Sequence, residues 1–242
     1  MLTLSIANFK GGTGKTTLAV CMADCLSQMG QRVAVIDADP GGNIMLWYTA
    51  RQRAGRETEF GVESILDAEA MVDRIDALKD SGEIDILIVD TEGSRTETTI
   101  AVFGRADCAV VPMFASHMEI NQAVITRRFV QSMSKQFRNE IFFLPVLTKT
   151  KAIMSSKQRE VLDSARDAGF DFKTSLPELT AFQDIFNLSV TLSELPESRK
   201  TDRERKARAI AAASKATREI VQAYAELRKA KAKAAAAHSQ AA

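Results

Sequence analysis

Apolar residues along this chain fall into short continuous runs, separated by longer stretches in which they recur every three or four positions. Residues 2–7 (LTLSIA), 32–36 (RVAVI), 84–89 (IDILIV), 108–112 (CAVVP) and 141–147 (IFFLPVL) are such runs. Each is rich in β-branched or aromatic residues and too short for a helix, so each predicts a strand. Shorter strands are expected at 173–176 and near 190–192. Between the first two runs, residues 16–29 place Leu18, Met22, Cys25, Leu26 and Met29 on one stripe and meet a stop at Gly30, which predicts a helix. Strands apolar on both faces and alternating with helices are what a parallel sheet covered on both sides requires. The pattern predicts an α/β fold: a doubly wound, mostly parallel sheet with helices on both faces.

Composition narrows this picture. Of 242 residues, 45% are hydrophobic and 26% charged, a globular balance rather than a disordered one. No run reaches the ~18 apolar residues of a membrane span, and the start MLTLSIANFKGG lacks the basic and apolar regions of a secretory signal. Three cysteines without a C-x-x-C pair do not make a disulfide framework, and a reducing cytoplasm is the expected setting. His117 and His238 are isolated from other metal-ligand residues. The formal net charge of +1 hides a division. Residues 199–242 hold 12 of the 32 Lys+Arg and 4 of the 31 Asp+Glu, a balance of +8, which leaves 20 against 27, or −7, in residues 1–198. The expected organisation is one domain over 1–198 and an Ala-rich extension over 199–242, helical to about 227 and frayed beyond.

The chemistry concentrates at strand ends. After the first strand comes KGGTGKTT, Lys10 to Thr17. Gly11, Gly12 and Gly14 let the backbone fold into a nest whose N–H groups converge on phosphate oxygens together with those of Thr13 and Thr17, and the following helix adds the positive end of its dipole. Lys15 is placed to reach β- and γ-phosphates and the Thr16 hydroxyl to bind Mg²⁺. The second strand ends in Asp37-Ala38-Asp39-Pro40, two carboxylates at the crevice where doubly wound sheets bind ligands. The third delivers Asp90 at the tip of an apolar run, the Walker B arrangement for Mg²⁺.

These motifs resemble the ParA/MinD superfamily of deviant P-loop ATPases, whose K-G-G-x-G-K-[ST] loop carries a signature lysine ahead of the glycines. The resemblance implies ATP and Mg²⁺ as cofactors, slow hydrolysis to ADP and phosphate, and a homodimer that sandwiches two ATP molecules. In that dimer Lys10 crosses to the partner's nucleotide, Asp39 orients the attacking water and Asp37 lies nearer the metal. Two departures stand out: Gly41 replaces the usual Gln of D-x-D-P-Q-G-N, and Glu92-Gly93 replaces the Pro after the Walker B Asp-Thr. The second departure resembles the VirC branch, which acts on a DNA-transfer complex. Residues 94–99 would be a switch segment. By the same resemblance Lys149 and Pro177 contact adenine, with a surface lysine as the competing reading of Lys149.

The family binds nonspecific DNA through basic residues in its C-terminal part, which singles out Arg199, Lys200, Arg203, Arg205, Lys206 and Arg208; a solvated face is the bland alternative. The implied function is positioning or segregation of a cargo (a plasmid, a chromosome locus, a protein cluster or a DNA-transfer complex) on the nucleoid. A ParB-like or cargo-adaptor partner would stimulate hydrolysis. A MinD-like membrane-cycling regulator and a metabolic ATPase of the same superfamily remain alternatives. Ala dilutes the Ile210, Ile220, Val221, Tyr224, Leu227 stripe, so packing onto the domain is expected over stable membrane association.

Overall fold

The computed structural model describes the backbone of residues 1–240 and the side chains of residues 1–236; His238 lies outside the described side chains. Seven strands form one sheet in the order β3-β2-β4-β1-β5-β6-β7, every neighbouring pair parallel. They are β1 (Leu2–Ile6), β2 (Val33–Ala38), β3 (Gly61–Ser64), β4 (Ile86–Thr91), β5 (Cys108–Met113), β6 (Phe142–Thr150) and β7 (Ser175–Pro177). The helices between them are α1 (Lys15–Gln28), α2 (Asn43–Arg53), α3 (Ala68–Ser81), α4 (Glu97–Phe103), α5 (His117–Phe137), α6 (Ser156–Asp167), α7 (Thr180–Asn187) and α8 (Lys200–Gln240).

Strands β1, β2, β4 and β5 are buried on both faces because both faces are covered. One cover is α1, α2, α7 and α8, which bury Leu18, Met22, Trp47, Phe182, Ala213 and Ile220. The other is α3 to α6, packed through Met71, Ile75, Phe103, Val130 and Val161. Cys21 and Cys25 are core residues, and Cys25 faces α8, its Sγ 3.6 Å from Ser214 Oγ. The chain leaves β1 in one direction across the sheet and passes from β4 to β5 on its other side, so the crossover direction reverses around β1. That reversal opens a crevice at the carboxyl ends of the central strands.

Two expectations are corrected and one strand is added. Residues 190–192 are not a strand: Thr191 caps a single 3₁₀ turn, Leu192–Glu194, through a reciprocal capping box. Val190 and Leu192 owe their apolar character to burial against α1 and α2, not to a sheet partner. A strand not anticipated, β3, pairs with β2 at the sheet edge, where the mixed sequence GVES needs only Val62 to face the core. The helical extension does not fray after 227 but continues to Gln240, because an Ala/Lys sequence sustains a helix without an apolar stripe.

Candidate nucleotide and cation site

The loop after β1 turns back on itself through Gly12 (φ +77°) and Gly14 (φ +91°), both in the left-handed region that a side chain disfavours. Gly14 caps α1 without a side chain, so the first amides of that helix remain open toward the crevice. Lys15, the first residue of α1, is buried, and its Nζ lies 3.3 Å from the carbonyls of both Asn8 and Lys10. Burial lowers its pKa, while Asp90, Asp39, Glu119 and Glu92 oppose that shift. This lysine rests on loop carbonyls and has acids around it, so an anionic phosphate arriving at the loop would take over its charge.

The cation site is built by strand register. Asp37 on β2 lies directly opposite Asp90 on β4, and Ile6 on β1 lies opposite Asp90 from the other side. Asp90 Oδ2 accepts a 2.8 Å hydrogen bond from Thr16 Oγ1, whereas its Oδ1 is buried with no partner. Burial raises the Asp90 carboxyl to about 7, against the pull of the Thr16 hydroxyl and Lys15. A hydroxyl beside a buried, half-satisfied carboxylate is a donor set that fits a hard divalent cation; such an ion supplies charge neutralisation where phosphate oxygens meet Thr16 and Asp90.

Asp37 has three backbone partners. Its Oδ2 accepts the Ile44 and Met45 backbone N–H groups at 3.0 and 2.9 Å, and its Oδ1 accepts Asp39 N–H at 3.2 Å. Burial raises its pKa and those three donors pull it back. Asp37 thus caps α2 from inside the sheet, and both oxygens are engaged. Asp39 is half-buried at the mouth of the crevice, with Oδ1 accepting Gly41 N–H at 2.8 Å.

Lys10 reaches the outer side of the loop. Its Nζ is 2.5 Å from Oε1 of Glu119, a fully buried residue in the first turn of α5, with no donor aligned for a hydrogen bond on either carboxylate oxygen. It also lies 5.4 Å from the Phe114 ring centre, and Lys149 Nζ lies 5.7 Å from the same ring. Lys149 donates to Gly12 O at 2.7 Å and has a left-handed backbone (φ +51°), an uncommon state for a lysine. It therefore holds the phosphate loop in this structure. Arg95, in the segment after β4, stacks 5.0 Å from Phe9 and 5.1 Å from Phe129, which joins that segment to the root of the loop. Thr96 is the N-cap of α4, so the expected 94–99 segment is a two-residue loop followed by a capped helix start.

Beside the loop a cavity of about 340 Å³ is lined by Gly14, Thr17, Lys149, Pro177, Phe182 and Phe186, among others. It is aromatic and apolar on one wall, a shape suited to a flat base. Pro177 and Lys149 thus both border it. Glu119 and the two phenylalanines were not anticipated. Ser116-His117-Met118-Glu119 reads only as a helix start from sequence, and nothing local tells that Glu119 turns inward toward Lys10.

The basic cluster is less free than its composition implies. Arg199 pairs with Asp202, Lys200 with Glu204, Arg205 with Asp184 and Lys206 with Glu197. Arg203 and Arg208 are exposed and have no acidic partner among the described residues. No group of three His, Cys, Asp or Glu that could hold a metal occurs among the described residues, and none of their helices is long and apolar enough to cross a membrane.

Comparison with known proteins agrees with this geometry. Maintenance of carboxysome distribution protein A of Synechococcus elongatus is 25% identical over 237 residues, covering 81% of this chain and 93% of that protein. Protein virC1 of Rhizobium rhizogenes is 28% identical over 133 residues, 54% of this chain and 56% of that protein. Among solved structures, the MinC:MinD cell division complex of Aquifex aeolicus superposes with a TM-score of 0.70 at 19% identity, covering 92% of this chain and 96% of the other. Apo McdA of Cyanothece does so at 0.67 and 22%, covering 88% and 99%. The CobQ/CobB/MinD/ParA nucleotide binding domain matches residues 4–227. With its phosphate loop, paired strand-end aspartates and parallel sheet in that arrangement, the chain belongs to the CobQ/CobB/MinD/ParA nucleotide-binding family.

Proposed function

We propose that this protein is a ParA-type ATPase that dimerises around ATP and Mg²⁺, binds DNA nonspecifically and positions or segregates a cargo on the nucleoid until a partner stimulates hydrolysis. The observation that carries this reading is the Thr16–Asp90 contact at the throat of a loop bearing two lysines. Thr16 and Asp90 would hold the cation, Lys15 would leave its carbonyls for the β- and γ-phosphates, and the Gly11 to Thr17 amides would bind phosphate oxygens. Asp39, at the mouth, would orient the attacking water. Lys10 lies on the outer rim, held by Glu119, and would release that acid to reach a nucleotide in a second protomer. Charge neutralisation and positioning would supply the catalysis.

The names of its relatives favour positioning over metabolism: a carboxysome distribution protein, virC1 and chromosome-partitioning proteins of Caulobacter vibrioides. Burial of Ile220 and Tyr224 against the domain removes the bulk of the α8 stripe from any bilayer contact. The test is light scattering with ATP–Mg²⁺. Asp39→Ala should accumulate as an ATP-held dimer and Lys15→Ala should remain monomeric, whereas Lys10→Ala should lose partner-stimulated hydrolysis. A monomeric Asp39→Ala protein with bound ATP would refute the assigned role of Asp39.

A further inference from the structure

Lys10, Lys15, Lys149 and Arg95 stand on the segments that frame the nucleotide crevice, and three of them are tied to oxygen. Lys10 pairs with Glu119, Lys15 Nζ lies 3.3 Å from the Asn8 and Lys10 carbonyls, and Lys149 donates to Gly12 O. Arg95, in the loop after β4, differs. It is exposed and has no acidic or hydrogen-bonding partner among the described residues. Its guanidinium rests only on the rings of Phe9 and Phe129, 5.0 and 5.1 Å from their centres. All five of its N–H donors are left to water.

This arginine lies within reach of bound phosphate. A methyl group built on Gly93 would lie 3.5 Å from the Gly11 nitrogen and from the Lys10 carbonyl carbon. The backbone just beyond Asp90 and Thr91 therefore runs against the phosphate loop. Arg95 follows Gly93 by two residues, a span of at most about 7 Å, and its side chain extends the reach. Thr96 fixes the start of α4, its hydroxyl accepting the Thr99 N–H. Ser94 and Arg95 are thus a short arm between two anchored points.

The aromatic seat is one the arginine can leave. Ring faces attract a guanidinium without fixing its direction, and at an exposed site this is weaker than a charge-assisted hydrogen bond. Phosphate oxygens match the guanidinium fork in geometry as well as charge. Nor do the rings depend on Arg95 for their place. Phe9 meets Phe129 edge to face at 5.0 Å, and Phe129 meets Phe103 likewise at 5.6 Å.

We propose that Arg95 is a catalytic residue that leaves the Phe9 and Phe129 rings and binds the γ-phosphate of the nucleotide in its own protomer as the transition state forms. The inference rests on the ATPase reading above and adds a cation to Lys15 there. In the step, the water oxygen bonds to the γ-phosphorus while the bond from that phosphorus to the ADP oxygen breaks. The electron pair of the broken bond leaves with the β-phosphate; one water proton stays on the released phosphate and the other passes to solvent. Arg95 exchanges no proton and offsets the charge that shifts onto the phosphate oxygens. Its seat beside Phe9, directly before Lys10, links its departure to the loop that receives the phosphates.

The experiment is single-turnover hydrolysis of ATP–Mg²⁺ by the full chain, comparing the parent with Arg95→Met and Arg95→Lys. Affinities for ATP and for ADP–aluminium fluoride, a transition-state analogue, are measured alongside. Met keeps a contact with both rings but no charge, and Lys keeps the charge without the fork. Arg95→Met should hydrolyse ATP about a hundred-fold or more slowly and lose affinity for the analogue to match. Its ATP affinity should stay within about three-fold of the parent's. Arg95→Lys should recover part of the rate. If the parent hydrolyses ATP and Arg95→Met is as fast or faster, the inference is overturned and the ATPase reading stands. A rate that falls only in proportion to ATP affinity makes Arg95 a ground-state contact and also overturns it. A parent that binds ATP without hydrolysing it removes the ATPase reading itself, and this inference with it. Unaltered helical content and melting temperature in both variants verify that each is folded.

Discussion

Lys149 and Asp37 show how a side chain's partner decides its role more than its residue type does. Both stand beside the nucleotide crevice, and both were expected to touch a ligand directly. Lys149 donates to the Gly12 carbonyl at 2.7 Å, and we propose that its effect on nucleotide passes through the loop. Removing a charge-assisted hydrogen bond at an accessible site costs about 1 kcal/mol, and Lys149→Met should weaken ATP binding about five-fold. ATP and GTP should weaken in parallel in a fluorescent-nucleotide titration; loss of discrimination between the two bases would return Lys149 to base recognition. Asp37, with three backbone donors on its two oxygens, is a buried cap for α2. Asp37→Ala should lower the stability of the nucleotide-free protein by about 2 kcal/mol in urea titrations. An unchanged midpoint with weakened Mg²⁺ dependence of nucleotide binding would mean that the cation, not the helix, is its partner.

At the scale of elements, α2 and the 3₁₀ turn are stitched together by Arg51, whose side chain is 1% exposed. Its guanidinium pairs with Glu194, donates to the Glu57 and Ser189 carbonyls and stacks on Trp47. Burial pushes the Glu194 carboxyl up, but Arg51 with the Thr191 amide and hydroxyl pulls it down to about 2. A depressed carboxylate contributes stability above its unfolded pKa, and that contribution fades as pH falls from about 4.5 toward about 2. Acid unfolding of the parent should steepen in that window, and Glu194→Gln should flatten it. Arg51→Met, which removes the Arg51 donor to the Glu57 and Ser189 carbonyls, should cost about 2 kcal/mol at neutral pH. This stitch also shows what could be read in advance. The apolar runs and the phosphate loop were legible because covered parallel strands and Gly-rich nests have local signatures. The run at Val190 and Leu192 reads as a strand because burial against helices leaves the same trace as burial in a sheet. Strand β3 leaves no apolar run in the sequence because an edge strand needs only one face apolar. Glu119 escaped because its pairing with Lys10 joins residues 109 positions apart that only the fold brings together.

For the molecule as a whole, the near-zero net charge is a sum of opposite regions, −7 over residues 1–198 and +8 over 199–242. The acidic domain gathers three lysines, Lys10, Lys15 and Lys149, around one loop. Three cations around one loop predict that an anionic nucleotide bound there stabilises the fold. The consequence can be read in thermal unfolding. A ligand at about a hundred times its Kd adds about 2.7 kcal/mol to the folded state, which in a chain of this size raises Tm by about 5–10 °C. If ATP also bridges two protomers, mass action adds a second signature: Tm in ATP–Mg²⁺ should climb with protein concentration, while Tm without nucleotide should not. Asp39→Ala, which retains bound ATP, should show the steeper climb, and Lys15→Ala should show neither the shift nor the climb. A shift that is independent of protein concentration in both the parent and Asp39→Ala would mean that ATP binds a monomer. Lys10 would then have no second nucleotide to reach, and its ion pair with Glu119 would be a structural contact of the single chain.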